Sequence, residues 1–200
     1  MKPAFSIIYK YKDVVKKGAI LEIGSDRNEG STAHFHSISL ELNVPFYSVD
    51  CHPESYNRAK AIIGDKAYNS TGEVFCSHIQ HIDPTLLFSY AFLDNFDFLV
   101  KDFKWEHEQE IRMKYAEIGM EMNNENSQLA HYTQTVLLQP YLTSDAIIGF
   151  DDTWQTPRKT FDGKGGTAVP WLLDKGFKLI EQSPIGENMI MGYVFVQRMS

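Results

Sequence analysis

Two hundred residues, 43% hydrophobic and 22% charged, suffice for one soluble globular domain with a full core. A net charge of −7 argues against a surface that tracks nucleic-acid phosphates, because such binding runs on Lys and Arg density. No apolar run nears the ~20 residues of a membrane span, and the N-terminal MKPAFSIIYKYK has too short an apolar centre for a secretory signal. Cys51 and Cys76 stand in no ligand or pairing pattern, so reduced thiols in a cytoplasmic protein are expected.

Residues 4–17 read as a helix, with Lys16 and Lys17 at the end the dipole favours and Gly18 beyond them. Such a helix either covers the first strand or caps a cleft. The apolar run at 19–23 predicts that strand. A polar loop from Gly24 to Gly30 follows, then a helix over about 31–42 with Ser31 and Thr32 as cap candidates. Phe35, Ile38 and Leu42 recur along it at near-helical spacing. His34 and His36 read as packing or surface residues, since no third ligand stands at metal-binding spacing. A second apolar run, 44–49, ends in Asp50. Strand, glycine turn, helix, strand and acid form the unit that binds an adenosine-containing cofactor in doubly wound α/β folds.

The loop chemistry separates cofactors. A dinucleotide fingerprint places a glycine where Asp26 stands here, and Glu29 lies close by. Two carboxylates repel a pyrophosphate but suit a ligand carrying an ammonium and a sulfonium. Asp50 is placed to accept hydrogen bonds from ribose hydroxyls. Glycine turns of this kind also arise as plain β-turn-α connections, so the remainder of the chain weighs on the choice. The pattern E-x-G-x-x-x-x-x-G with a downstream acid resembles motif I and its partner strand in class I S-adenosylmethionine (SAM) methyltransferases. That resemblance implies cofactor contacts from Glu22, Gly24, Ser25, Gly30, Ser31 and Asp50. It makes Cys51 or His52 an adenine wall, with Thr71 and Gly72 completing the cleft after the third strand.

Beyond Asp50, a helix over about 54–63 and a short strand at 66–69 lead to a helical or irregular cover, 73–87, broken at Asp83-Pro84. The chain from Tyr90 is apolar until Asp94, which predicts a buried fourth strand with an acid at its tip, where ligands bind. Residues 99–127 are too many for a simple connection. They read either as a solvated surface helix with a loose end or as an active-site cover offering Trp105, Met113, Tyr115 or Met120 to a substrate. A helix over 127–141, packing through Leu129, Val136 and Leu137, feeds a fifth strand at 146–150 that ends in Asp151-Asp152. The glycine-dense loop 155–166 suggests mobility or close backbone approach to a ligand, and it is not a Walker A loop. A short helix at Pro170 ends at Gly176. Runs at 177–181 and 189–197 then flank a turn at 184–188 short enough for antiparallel pairing.

The expected architecture is therefore a doubly wound, Rossmann-like, seven-stranded mainly parallel sheet. It has a C-terminal antiparallel hairpin and helices on both faces, in one domain of residues 1–200 with the 99–127 insert as a cover. Asp94, Asp151 and Asp152 fall at the tips of strands four and five. Three carboxylates in one cleft need something positive among them, and oxygen ligands select a hard cation. The pattern resembles metal-assisted O-methyltransferases of small molecules, including sugar-modifying and cephamycin-type enzymes. It implies Mg²⁺ or Mn²⁺ held by Asp94, Asp151 and Asp152, aligning and activating a hydroxyl. Two departures stand out: Asp97 occupies the place of a frequent histidine, and Asp-Asp replaces Glu-Asp. His131 and Lys101 are the remaining base candidates.

Several alternatives stay open. Asp151 caps a turn while Asp152 alone reaches the cleft, or an aspartate serves as base without metal. A nicotinamide-dependent oxidoreductase is opposed by Asp26 and the terminal hairpin, and a non-catalytic Rossmann-type domain is the other class. An RNA-directed enzyme is disfavoured by the acidic balance. The expected partner is a small-molecule acceptor, with no nucleic acid and no membrane, and with monomer and homo-oligomer both open.

Overall fold

The computed structural model describes residues 3–25, 30–100, 105–183 and 192–199. A 3-10 segment, Ala4–Tyr11, runs into a one-turn helix α1 (Lys12–Val15) and then β1 (Ala19–Ile23). There follow α2 (Ser31–Leu42), β2 (Phe46–Asp50), α3 (Pro53–Ile63), β3 (Ala67–Asn69), α4 (Gly72–Ile82) and β4 (Phe88–Leu93). The second half contains α5 (Trp105–Glu117), α6 (Asn124–Leu138), β5 (Leu142–Phe150), β6 (Thr153–Gln155) and β7 (Phe161–Gly163), then α7 (Ala168–Asp174), β8 (Phe177–Gln182) and β9 (Val194–Arg198).

The main sheet has seven strands in the order β3-β2-β1-β4-β5-β9-β8. All are parallel except β9, which runs antiparallel to β5 and β8. Helices cover both faces, so β1 and β4 are buried along their whole length and are apolar in sequence but for Glu22 and Ser89. Alternation along β1 divides the core. Leu21 and Ile23 face Phe75 and Ile79 of α4, Leu138 of α6 and Leu172 of α7. Ile20 faces the other way, with Ile8, Val15, Phe35 of α2, Tyr90, Phe92 and Phe195. Phe35 is the hub of that layer, its ring centroid 6.0 Å from Phe46 and Tyr90 and 5.5 Å from Phe92.

The N-terminal segment joins the α2 layer and so covers the sheet rather than a cleft. It is mostly 3-10 rather than α-helical. Ser31 and Thr32 do not cap α2. Gly30, at φ 94°, takes the cap position, and both hydroxyls turn to Glu22 instead. Helix α6 starts at Asn124, before the expected 127, because the Asn123 side chain accepts the Asn126 N–H at 2.7 Å and caps it. Its packing face also differs from expectation: Leu129 is 60% exposed, and the helix turns Ser127, His131, Gln134 and Thr135 inward. The 155–166 loop is largely an antiparallel ribbon, β6 with β7, closed by Thr156–Thr160 bonds. Asp26, Glu29, Lys101 and the 184–188 turn lie outside the described residues. No described helix is long and apolar enough to cross a membrane.

A third, smaller core forms under the insert from Phe96, Ile111, Met122 and Ala130, with Leu99, Tyr115 and Met120 against it. The Asn124 side chain mimics a strand partner there, accepting the Leu99 N–H at 2.7 Å and donating to the Leu99 carbonyl at 2.9 Å.

Candidate functional site

Parallel pairing sets Ile23 beside both Val49 and Leu93, so Gly24, Asp50 and Asp94 emerge from the sheet along one edge. Gly24 has φ 94°, and a Cβ there would lie 2.5 Å from the Asn95 nitrogen and the Asp94 carbonyl carbon. Only glycine permits that backbone crossing. Asp50 accepts the Ser25 N–H on Oδ2 at 2.8 Å and the His52 N–H on Oδ1 at 2.7 Å. A carboxylate offers about four acceptor sites, more than these two backbone donors use.

A cavity of about 280 Å³ opens at this edge, near the lower bound of small-ligand clefts. The expected cofactor residues Gly24, Ser25, Asp50, Cys51, His52, Thr71 and Gly72 all line it, as does Asp94. Burial, with Asp50 adding to it, pushes the Cys51 thiol up to about 11, so this wall is uncharged at neutral pH. Arg58 and Asn95 also line the cavity and escaped the sequence reading, because neither sits in a recognisable motif. From the insert, Tyr115 and Met120 reach the cavity wall, whereas Trp105 and Met113 point to solvent at 68% and 63% exposure. The Tyr115 hydroxyl accepts the Asp97 N–H at 2.7 Å while its ring packs 4.6 Å from that of Phe96.

Three expected contacts lie elsewhere. Glu22 is fully buried and does not line the cavity. Its Oε1 accepts Ser31 Oγ at 2.7 Å, and its Oε2 accepts Thr32 Oγ1 at 2.7 Å and Ser48 Oγ at 2.6 Å. Burial pushes its carboxyl up to about 7, outweighing the hydroxyls that pull the other way. Glu22 thus ties β1 to β2 and to the start of α2, a structural task that a cofactor motif does not distinguish. Gly30 and Ser31 are likewise absent from the cavity wall.

The acids after β4 and β5 do converge, but on a lysine. Lys164 is 1% exposed, with Nζ 2.6 Å from Asp94 Oδ1 and 3.0 Å from Asp152 Oδ2. Its turn is locked from several sides. The Lys164 N–H donates to the Asp152 carbonyl at 3.0 Å, and the Gly165 N–H donates to Thr153 Oγ1 at 2.8 Å. Asp152 itself adopts φ 44°, a left-handed conformation uncommon outside glycine. Gly163, at φ 85°, has no room for a Cβ against the Asp152 carbonyl. Burial pulls the Lys164 pKa down, but Asp94, Asp152, Asp97 and Asp151 more than offset it, and the group stays an ammonium. Burial, then Asp94 and Asp152, raise the Asp151 carboxyl well above the usual range, with Lys164 opposing.

The expected metal site is therefore corrected. Among the described residues, no group of three or more His, Cys, Asp or Glu side chains is arranged to hold an ion. An ammonium fills the space between Asp94 and Asp152, and the residues do not fit Mg²⁺ or Mn²⁺. His131 is corrected as a base too. It lies fully buried on α6 and outside the cavity wall, its Nδ1–H donating to the Ser127 carbonyl at 2.7 Å. Burial, then Lys164, lower its pKa to about 3, so it remains neutral. Lys164 went unread, although two signals pointed to it: three aspartates needing a positive partner, and glycines on both sides of a lysine.

No family model and no curated protein matches the sequence. Solved structures share the architecture. A Burkholderia thailandensis 1,6-didemethyltoxoflavin-N1-methyltransferase, bound to 1,6-didemethyltoxoflavin and S-adenosylhomocysteine, aligns over 100% of this chain and 78% of its own at 12% identity, TM-score 0.56. A Streptococcus mutans protein assigned as a methyltransferase, in complex with S-adenosylhomocysteine, aligns over 100% and 99% at 8% identity, TM-score 0.56. Aeropyrum pernix fibrillarin with natively bound SAM aligns over 92% and 67% at 11% identity, TM-score 0.54. The fold is that of the class I methyltransferases.

Proposed function

We propose that this chain is a SAM-dependent methyltransferase acting on a small molecule. The observation that carries the reading is Asp50, held at the strand tip by two backbone N–H groups and lining a cavity together with the Gly24 turn of the neighbouring strand. The residues present fit the cofactor. Asp50 has acceptor sites for ribose hydroxyls, Cys51 and His52 offer a wall for the base, and the Gly24 turn leaves the backbone close to the ligand. The cavity wall carries Asp50, Glu54, Glu73, Asp94 and Asp97 against Arg58 and Lys114, a balance that favours a cationic ligand over a pyrophosphate. The same balance supports a small-molecule acceptor over a nucleic acid.

When bound, the cofactor supplies a methyl group activated on a sulfonium. The chain's own work is then alignment of the acceptor and removal of its proton. Asp94 lies both on the cavity wall and against Lys164, so it presents a carboxyl group held in place to an acceptor O–H or N–H. We favour a carboxylate as the proton acceptor over metal activation, because Lys164 already neutralises the aspartates. Titration calorimetry with SAM, S-adenosylhomocysteine and NAD tests the reading. SAM and its product should bind and NAD should not; NAD binding without SAM binding would move the chain to the oxidoreductases.

A further inference from the structure

We propose that Lys164 is a positioning residue that serves as the resident cation of the Asp94–Asp152 pair, standing where two carboxylates from adjacent strand tips would otherwise recruit a divalent ion. Asp94 follows β4, and Asp152 lies just beyond the adjacent β5, so parallel pairing brings the two tips side by side and both carboxylates reach one ammonium. Two ionised carboxylates held this close and this far from water are stabilised by a cation between their oxygens. Lys164 meets Asp94 at 2.6 Å and Asp152 at 3.0 Å from a fully enclosed position. The backbone that carries it is fixed to the Asp152 carbonyl and the Thr153 hydroxyl, and the side chain itself is enclosed at 1% exposure.

The consequence is mechanical as well as electrostatic. The ion pair joins the β4 tip, which lines the cavity, to the turn following β7, which does not. Asp94 is thereby oriented by a residue 70 positions away in sequence. A lysine gives one point charge and at most three donors, whereas a divalent ion would leave coordination sites open to an acceptor. The cluster therefore orients a carboxylate rather than binding two acceptor oxygens. This bears on how the proposed methyl transfer proceeds, but its test is independent of that reaction.

The test is Mn²⁺ uptake, read by loss of the free-ion electron paramagnetic resonance signal, on the full chain without cofactor. Wild-type protein should take up no Mn²⁺ that Asp94→Asn abolishes. Lys164→Ala should gain a site binding at least ~tenfold tighter than any in the wild type, and Lys164→Ala with Asp94→Asn should lose it. Mn²⁺ should also raise the melting temperature of Lys164→Ala but not of wild type, a gain that a merely structural lysine would not produce. Lys164→Arg should behave as wild type. If Lys164→Ala does not fold, Lys164→Met, which fills the space without charge, carries the same comparison. An Asp94-dependent Mn²⁺ site in the wild type, or a folded lysine-free variant without one, overturns the proposal.

Discussion

Asp50 accepts two backbone N–H groups before any ligand arrives, which fixes its carboxylate at the cavity edge with little entropy left to lose on binding. Replacing it with alanine should weaken SAM binding by about 1–3 kcal/mol, the cost of losing hydrogen bonds to a charged acceptor. Calorimetry reads this directly, and unchanged affinity would remove Asp50 from the cofactor site. Gly24 is constrained by backbone rather than by a ligand. Gly24→Ala combines φ 94° with a Cβ 2.5 Å from Asp94 and Asn95 backbone atoms. It should cost more than ~1 kcal/mol in urea unfolding as well as cofactor affinity. A variant of wild-type stability would show that the strand edge can relax, and that the glycine matters less than its geometry implies.

Helix α5 is attached by its own small core and not by the main sheet. Phe96, Ile111, Met122 and Ala130 form that core, and Asn124 supplies both partners of the Leu99 backbone. Few buried contacts mean a lower opening free energy than that of the sheet. Asn124→Ala removes two hydrogen bonds from part-buried backbone groups. It should speed amide exchange across Trp105–Glu117 by an amount equivalent to about 1–2 kcal/mol, with β1 and β4 unchanged. Exchange accelerating equally in all three would mean the insert does not open on its own. SAM together with an acceptor should slow exchange in α5, since its Lys114 and Tyr115 line the cavity.

At the scale of the whole molecule, two buried groups bend the pH dependence of stability in opposite directions. Glu22 has its folded-state pKa raised to about 7, so the stability it contributes is fully present below its unfolded value near 4.5 and lost as pH rises through about 7. His131 has its folded-state pKa lowered to about 3, so its contribution is present above 6.5 and lost as pH falls towards 3. Each is worth a few kcal/mol, and between pH ~4.5 and ~6.5 they oppose each other. Urea unfolding across that window should therefore steepen when one is removed. Relative to wild type, His131→Gln should make stability fall more as pH rises, and Glu22→Gln should make it rise more. Parallel profiles for both variants would mean that neither group titrates differently on folding.

What the sequence determined by itself was local. The run 19–23, the glycine at 24 and the acid at 50 lie within one strand-turn-helix-strand unit, where periodicity and turn chemistry act over a few residues. The terminal hairpin was likewise legible from a turn too short for a crossover, whereas the order of the seven strands came only with the tertiary structure. Tertiary structure decided what depends on distant partners. Glu22 belongs to a motif, yet its carboxylate faces hydroxyls from α2 and β2 and not a ligand, because strand alternation turned it inward. Helix α6 hides Ser127, His131 and Gln134 while exposing Leu129, so hydrophobic spacing misread its inner face. The three aspartates were visible as a charge problem, but its solution was not. Lys164 reaches Asp94 only after β6 and β7 pair and return the chain towards the β5 tip, and no local rule pairs a lysine with an acid 70 residues away.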